Sequence, residues 1–322
     1  MSYTQEIIDQ VCQLKADGVN HRDISQAVFG KRSSASSIHT ILEKYYYKTK
    51  PEARKLSVKD GDGPKILVFD IETAPCMSYH WGLWQQNIGL SMTVKDWYVL
   101  SWAAKWVGDD HVMYEDKRDD PMSEDDSTLI EGIWKLLDEA DIIVTQNGKK
   151  FDVKKLHARF LMAGMQPPSS YKHIDTLVIA KRHFAFTSNK LEYMTDKLCK
   201  KFKKLNHGKF AGFLLWQQCL AGNPEAWDEM EEYNKYDVLS LEELMFILAP
   251  WSNQLPNLDM YFDDLDNHCM CGSTDFEPNG YYYTQASKFV KLKCSGCGAE
   301  KRTKVNLLSK EKRATFIMNV PA

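Results

Sequence analysis

The stretch KILVFDIET, residues 65–73, decides the fold class of this chain. Four consecutive apolar residues followed by Asp70, Ile71 and Glu72 predict a buried β-strand with two carboxylates near its end. Because side chains alternate along a strand, Asp70 and Glu72 share one face and Ile71 lies on the other. Neighbouring carboxylates oppose each other's ionisation, so a divalent cation is the simplest candidate for their partner.

The overall composition is that of a folded protein. With 322 residues, 43% of them hydrophobic and 26% charged, the composition predicts a folded chain and argues against wholesale disorder. No apolar run approaches membrane-spanning length, and the N-terminal sequence lacks the features of a signal peptide, so we expect no membrane partner.

The net charge of −3 is unevenly distributed. Residues 1–60 hold 10 Lys and Arg against 7 Asp and Glu, and residues 266–322 hold 9 against 5, which leaves −10 for the centre. An acidic centre between basic ends suits a metal-dependent site flanked by modules that hold a polyanion. A solvated charged surface is the alternative interpretation.

The N-terminal region predicts a small helical domain over residues 1–48 and a basic linker over 49–64. Between residues 31 and 59, eight Lys and Arg face only two Glu. The segment resembles the helix-turn-helix of resolvases and similar DNA-binding proteins, which implies nucleic-acid contacts at Lys31 and Arg32. A protein-contact role for a small trihelical bundle is the alternative.

From residue 65 to 255 the pattern changes to strands and helices. Strands with antiparallel neighbours come first, in KILVFDIE, WYVLSWAAKWVG and HVMYED, followed by the capped helix SEDDSTLIEGIWKLLDEA and the strand DIIVTQN. Helices then predominate, among them HIDTLVIAKRHF and EAWDEMEEYNKYDVLSLEELMFIL. This order predicts a layered α/β domain.

Two further acidic motifs follow the first. In QNGKKFDVKKL, Asn147 and Gly148 form a turn and Asp152 opens the next helix, although Asp is also a common helix cap. In YNKYD, Tyr233 and Asp237 lie one turn apart on the same face of a helix.

In their order, the three motifs resemble the DEDD superfamily of 3′–5′ exonucleases, in its tyrosine-containing, DnaQ-like branch with a ribonuclease H-like fold. The segment DTLVIAKRHFAFTSNKLEYM also resembles relatives of the proofreading exonuclease of B-family DNA polymerases. The resemblance covers about residues 65–250 and implies phosphodiester hydrolysis with two Mg²⁺ or Mn²⁺ ions per site. The implied metal ligands are Asp70, Glu72, Asp152 and Asp237. Tyr233 is implied to orient the attacking water, because a phenol is a poor base.

Candidate nucleic-acid contacts outside the motifs have an equally ordinary structural interpretation. These candidates are Asn147, Tyr79, Trp81, Trp84, Arg182 and Lys190. Asn147 either holds the substrate backbone or only forms its turn. The aromatic residues either stack on terminal bases or pack in the core, and the two cations either touch phosphate or are ordinary surface charge. We expect Phe151 in the core.

The eight cysteines divide into two groups. Four are scattered singly, as expected for reduced thiols in the cytoplasm. The others, in HCMCGS and CSGCG, resemble the two knuckles of a zinc ribbon that holds one structural Zn²⁺. The predicted ligands are Cys269, Cys271, Cys294 and Cys297. His268 is an alternative to Cys269, because the first knuckle is CxC rather than CxxC.

The predicted architecture is therefore α/β: a ribonuclease H-like mixed sheet with flanking helices over residues 65–255, plus the small trihelical domain and a zinc ribbon with a basic tail over 256–322. We expect a stand-alone, metal-dependent 3′–5′ exonuclease acting on single strands or 3′ ends, with DNA favoured over RNA. It resembles phage and bacterial proteins, so we expect it in the cytoplasm, at the nucleoid or in a phage-infected host, with replication or repair proteins as further partners. The alternatives are an exoribonuclease and a non-catalytic nucleic-acid-binding or regulatory protein that keeps the fold.

Overall fold

A computed structural model of the chain describes residues 3–16, 21–30, 38, 41, 63–202 and 208–320. The chain divides into two compact units, Met1–Arg54 and Lys55–Ala322. Among the described helices, none combines the length and the apolar character that crossing a membrane requires.

The first unit contains helices α1 (Gln5–Ala16) and α2 (His21–Phe29). Their apolar faces meet in a small core to which two further described residues contribute. The buried members of this core are Ile8, Val11, Ile24, Ile38 and Ile41. Three predictions for this region lie outside the described residues: the third helix apart from Ile38 and Ile41, the linker up to residue 62, and the contacts of Lys31 and Arg32.

The second unit contains ten described strands and the remaining described helices. The strands are β1 (Ile66–Thr73), β2 (Met77–Ser78), β3 (Thr93–Lys95), β4 (Val99–Trp106), β5 (Met113–Asp116), β6 (Ile142–Thr145), β7 (Lys172–Asp175), β8 (Phe276–Tyr283), β9 (Lys288–Cys294) and β10 (Glu300–Arg302). The helices are α3 (Ser127–Glu139), α4 (Asp152–Met162), α5 (Thr176–His183), α6 (Leu191–Leu198), α7 (Phe213–Leu220), α8 (Pro224–Leu248) and α9 (Lys310–Ala314).

A mixed five-stranded sheet in the order β5–β4–β1–β6–β7 forms the centre of this unit. β4 is antiparallel to β1 and β5, whereas β6 runs parallel to both β1 and β7. A separate antiparallel sheet, β10–β9–β8, carries the cysteine-rich region, and β2 pairs with β3 as a short hairpin after β1. The mixed sheet with flanking helices agrees with the predicted fold class.

Alternation along β1 sends its side chains into two separate cores. Ile66 and Val68 pack in the core that includes the inner face of α8, while Leu67, Phe69 and Ile71 pack with α3 and α4 on the other side of the sheet. Asp70 and Glu72 continue the Ile66 and Val68 series. Their carboxylates are therefore directed to the α8 side of the sheet.

The long helix α8 is attached to the sheet by a buried ion pair as well as by apolar packing. Lys105 of β4 and Glu242 of α8 have their nitrogen and oxygen 2.6 Å apart, with side chains only 7% and 16% exposed. Together with the apolar residues of the α8 core, this pair holds the helix across the strands that carry Asp70 and Glu72.

Two elements differ from the sequence-based expectation. The residues HID, expected at the start of a helix, form the end of strand β7, which pairs with β6. Hydrogen bonding of the β7 backbone to the buried parallel strand β6 outweighs the local preference of these residues for a helix. Asp175 then caps α5 by accepting hydrogen bonds from the backbone N–H groups of Leu177 and Val178. Helix α7 was not predicted.

Candidate active site

Three carboxylates meet where the end of β1 lies against α8. Asp70, Glu72 and Asp237 each place an oxygen so that these atoms all lie within 4.8 Å of one another. Asp70 and Glu72 arrive there through strand alternation, and Asp237 lies on the buried side of α8, with 8% of its surface exposed. An all-oxygen donor set of this kind fits Mg²⁺ or Mn²⁺, so the residues suit the predicted metal.

The fourth predicted ligand, Asp152, lies beside this group and not within it. It opens α4, is buried, and its Oδ1 accepts a hydrogen bond of 3.3 Å from the backbone N–H of Ile71, between Asp70 and Glu72. Burial raises the pKa of Asp152 to about 7; the charge of Asp175 acts in the same direction and backbone N–H donors oppose it. Ionising Asp152 is therefore costly, and a nearby cation would offset that cost.

Asn234 is a site residue that the sequence analysis missed. It is fully buried on α8, and its Nδ2 donates to Asp70 Oδ2 at 2.9 Å. Its Oδ1 accepts from Ser101 Oγ at 3.1 Å. The two hydrogen bonds hold the side chain between α8 and β4 and direct its amide at Asp70. A polar residue on the apolar face of α8, four residues after Met230 and four before Val238, was the signal that could have revealed it.

Tyr233 lies on the same face of α8 as Asp237, as its spacing predicts. Burial raises the pKa of Tyr233 well above its usual range, and the carboxylates of Asp237, Glu72 and Asp70 add to that effect. The ring of Trp216 packs edge-on against it, with ring centroids 6.2 Å apart. The phenol is therefore held in one orientation beside the carboxylates.

Asn147 occupies the turn after β6, where its backbone φ of 67° lies in the left-handed region that Asn tolerates. The backbone N–H groups of Asn147 and Lys149 donate to the carboxylate of Asp175 at 3.0 and 3.1 Å. Gly148 is required because a Cβ there would lie 2.2 Å from Thr145 Oγ1. The turn function of Asn147 is thus evident from its backbone, and Asp175 is a second residue that the sequence analysis missed.

A groove of about 480 Å³ begins at Thr73, next to Glu72. Its walls include Trp97, Lys155, Phe213 and Trp216. Lys155 Nζ lies 3.7 Å from the centroid of the Trp97 ring, and burial lowers the pKa of Lys155. The groove therefore combines aromatic surface and one cation, and its wall includes Thr73, which follows Glu72 in the chain.

Several other predicted positions lie at the surface. Phe151 is 37% exposed next to Lys155, so its assignment to the core was wrong. Trp81 and Trp84 are 99% and 85% exposed, and Tyr79 is also exposed, so the core alternative fails for all three. Arg182, in the last turn of α5, and Lys190, just before α6, are exposed as well. None of these residues belongs to the carboxylate group.

The four predicted cysteines come together at one end of the small sheet. The sulfur atoms of Cys269, Cys271, Cys294 and Cys297 lie within 4.8 Å of one another, with separations of 3.5 Å (Cys269–Cys297) and 3.7 Å (Cys271–Cys294). Four thiolates around a tetrahedral Zn²⁺ at about 2.3 Å would be about 3.8 Å apart, so the cluster fits this metal.

His268, the alternative ligand, lies outside the sulfur cluster. Its ring stacks on Phe262, with centroids 3.6 Å apart, and its nitrogens lie 3.6 and 3.4 Å from carboxylate oxygens of Asp259 and Asp264. The structure therefore groups Cys269, and not His268, with the other three cysteines.

Comparison with known proteins agrees with this architecture. The RNase_H superfamily profile matches residues 89–249, half of the chain. The chain belongs to the RNase H superfamily. This membership confirms the ribonuclease H-like fold, agrees with the predicted relationship to DEDD-type exonucleases, and supports a nuclease-type function with a nucleic-acid substrate. The matched range contains the second and third motifs, whereas β1 lies before it.

Among solved structures, this RNase H superfamily member is similar to the family B DNA polymerase of the hyperthermophilic archaeon Pyrobaculum calidifontis. The match has 16% sequence identity and a TM-score of 0.41, and it covers 58% of this chain. The chain spans only 25% of the polymerase's length. No curated protein matches the sequence.

Proposed function

We propose that this chain is a metal-dependent exonuclease that removes nucleotides from the 3′ end of nucleic acid, with DNA preferred over RNA. The observation that carries the proposal is that Asp70 and Glu72 of β1 and Asp237 of α8 have carboxylate oxygens within 4.8 Å of one another, in a chain of the RNase H superfamily. The 3′–5′ direction is supported by the order of the three motifs, which resembles that of the DEDD exonucleases. The helix-turn-helix-like N-terminal sequence supports DNA.

The carboxylates hold the metal in this proposal. Asp70, Glu72 and Asp237 are the ligands that lie together, and Asp152 joins them from the first turn of α4. Mg²⁺ or Mn²⁺ bound there supplies an activated water and compensates the negative charge that develops on the phosphate during hydrolysis. Asn234 keeps Asp70 in place through its hydrogen bond.

The protein groups around the carboxylates bind and orient the reactants. Tyr233 orients the attacking water, since its phenol lies one helical turn from Asp237 and is held against Trp216. The groove that begins at Thr73 receives the terminal nucleotide, with Trp97, Phe213 and Trp216 available to stack on its base. Lys155 lies in the same groove and can pair with a phosphate.

The remaining modules act on the same substrate in this proposal. One structural Zn²⁺ bound by the four cysteines holds the small sheet together. The N-terminal unit and the exposed Trp81 and Trp84 provide further contacts to nucleic acid. A cytoplasmic location and replication or repair proteins as partners complete the proposal.

Digestion of 5′-labelled single-stranded oligonucleotides tests the proposed activity. DNA and RNA of the same sequence are incubated with Mg²⁺ or Mn²⁺, and the Asp70→Ala protein serves as the control. We expect a ladder of DNA products that shortens from the 3′ end and that is absent with EDTA and with the variant. Faster digestion of RNA would transfer the proposal to an exoribonuclease. Binding without cleavage of either polymer would refute catalysis.

A further inference from the structure

The small antiparallel sheet β8–β9–β10 exposes aromatic side chains that the nuclease site does not use. Three consecutive tyrosines end β8, one of the two edge strands of the sheet. Tyr281 and Tyr283 are 51% and 63% exposed, and their ring centroids lie 6.4 Å apart. Because residues two apart on a strand share a face, these two rings form one exposed surface.

The opposite face of this sheet is turned toward the nuclease domain. Tyr282, Lys291 and Arg302 line a cavity of about 480 Å³ whose other wall includes Phe246 and Pro250 at the end of α8. Tyr281 and Tyr283 are not among the residues that line this cavity, and they lie on the other face of β8 from Tyr282. An exposed pair of aromatic rings therefore points away from the domain that the sheet packs against.

The charges of the sheet are divided between its two faces. Paired residues of neighbouring strands lie on the same side, so the register assigns every charged residue of the three strands to a face. The cavity face carries both carboxylates and three cations: Glu277, Glu300, Lys291, Lys293 and Arg302. The register places Lys288 and Lys301 on the Tyr281 face and, within these three described strands, no carboxylate. Lys301 Nζ donates to the backbone carbonyl of His268 at 2.8 Å and lines the cavity, so Lys288 is the cation next to the exposed rings.

The lysine on this face is placed over the rings. Lys288 Nζ lies 3.8 Å from the centroid of Tyr281 and 5.7 Å from that of Tyr283. A cation next to exposed ring faces is the combination that binds single-stranded nucleic acid, because bases stack on the rings and the ammonium group pairs with phosphate. An apolar protein partner would gain from the rings but not from a face that carries only positive charge.

We propose that the Tyr281, Tyr283 and Lys288 surface is a stacking site for single-stranded nucleic acid, which binds the part of the strand that lies beyond the nucleotides in the nuclease site. This inference rests on the proposed function only for the assumption that the bound strand is the substrate of the nuclease site. The surface itself binds independently of cleavage. It lengthens the bound segment, so its contribution depends on substrate length.

Fluorescence anisotropy with the full-length Asp70→Ala protein measures this binding without degradation of the probe. The probes are 5′-labelled oligothymidylates of 30 and 6 nucleotides. The double variant Tyr281→Ala/Tyr283→Ala is expected to bind the 30-mer at least about tenfold more weakly, since each base stacked on an aromatic ring contributes roughly 1–3 kcal/mol, while binding of the 6-mer is unchanged. Zinc content and far-UV circular dichroism establish that the variants are folded.

Two matched substitutions identify the physical cause. Tyr281→Phe/Tyr283→Phe keeps the rings and should bind like the parent, whereas Tyr281→Leu/Tyr283→Leu keeps apolar surface without a π face and should bind as weakly as the alanine variant. Lys288→Met should weaken 30-mer binding, and Lys135→Met on α3 should not.

Unchanged 30-mer binding by the alanine variant, or full binding by the leucine variant, would overturn the proposal. Cleavage of the same oligonucleotides by the wild-type protein, which has Asp70, is measured in parallel. Cleavage together with unchanged binding refutes the stacking site alone, and weakened binding in a protein that does not cleave refutes the exonuclease alone.

Discussion

Replacing Asn234 by alanine tests how the carboxylate group is held. The Asn234 Nδ2 to Asp70 Oδ2 hydrogen bond is 2.9 Å long, links a buried amide to a carboxylate, and has a second anchor in Ser101. A hydrogen bond to a charged group contributes about 1.5–3 kcal/mol. Since about 1.4 kcal/mol corresponds to a tenfold change, we expect Asn234→Ala to lower activity or metal affinity by roughly 10- to 100-fold.

The assay is the initial rate of cleavage of a short 5′-labelled DNA, measured over a range of Mg²⁺ concentrations. We expect Asn234→Ala to need more Mg²⁺ for half-maximal rate, because Asp70 loses the group that orients it. Ser101→Ala is the matched control: it leaves the bond to Asp70 in place and removes only a neutral hydrogen bond, which contributes about 0.5–1.5 kcal/mol. A rate and Mg²⁺ midpoint within twofold of the parent for Asn234→Ala, in a preparation where Asp70→Ala is inactive, would refute the reasoning.

Three further predictions concern stability and metal content. Lys105→Met should lower the free energy of unfolding by about 3–5 kcal/mol in urea titration, because it leaves Glu242 buried without its partner. The double variant Lys105→Met/Glu242→Leu should recover most of that stability. A double variant as unstable as Lys105→Met would contradict this explanation. Cys294→Ser should abolish stoichiometric zinc in metal analysis and expose residues 256–322 to protease, whereas Cys199→Ser, at a buried cysteine outside the cluster, should do neither. Burial lowers the pKa of His173 to about 4, whereas a histidine in the unfolded chain has a pKa near 6.5. Between these two pH values the unfolded chain binds more protons, so the free energy of unfolding should fall as the pH drops, by up to about 2 kcal/mol for this partly exposed residue. Thermal melts of the parent and of His173→Gln over this pH range test the prediction, because the variant should lose less stability as the pH drops.

Much of the candidate site could be predicted from local sequence. The face shared by Asp70 and Glu72 follows from the two-residue period of a strand, and the face shared by Tyr233 and Asp237 follows from the four-residue spacing of a helix. The four cysteines were likewise predicted as a group from their two short knuckles. Asp70 and Glu72, and likewise Tyr233 and Asp237, are close in sequence, so the period of one strand or helix relates them. The two cysteine knuckles have a spacing typical of motifs that bind one metal ion.

Other features depended on contacts between distant segments. The residues HID of strand β7 were wrongly predicted to begin a helix. The prediction failed because these residues acquire their conformation from pairing with β6 and not from their own sequence pattern. The function of Asp175 in holding the Asn147 turn was missed for the same reason. The exposure of Trp81 and Trp84 was equally undecidable, since the same residue types serve in cores and at surfaces.

The sequence by itself determined the ribonuclease H-like fold class and the face of each strand or helix on which the predicted carboxylates lie. Only the tertiary structure decided that Asp70, Glu72 and Asp237 lie together while Asp152 lies beside them, and that Asn234 reaches Asp70 from α8. The physical reason is that periodicity orients a side chain relative to its own strand or helix. The distance between side chains of different elements depends on how those elements pack against each other.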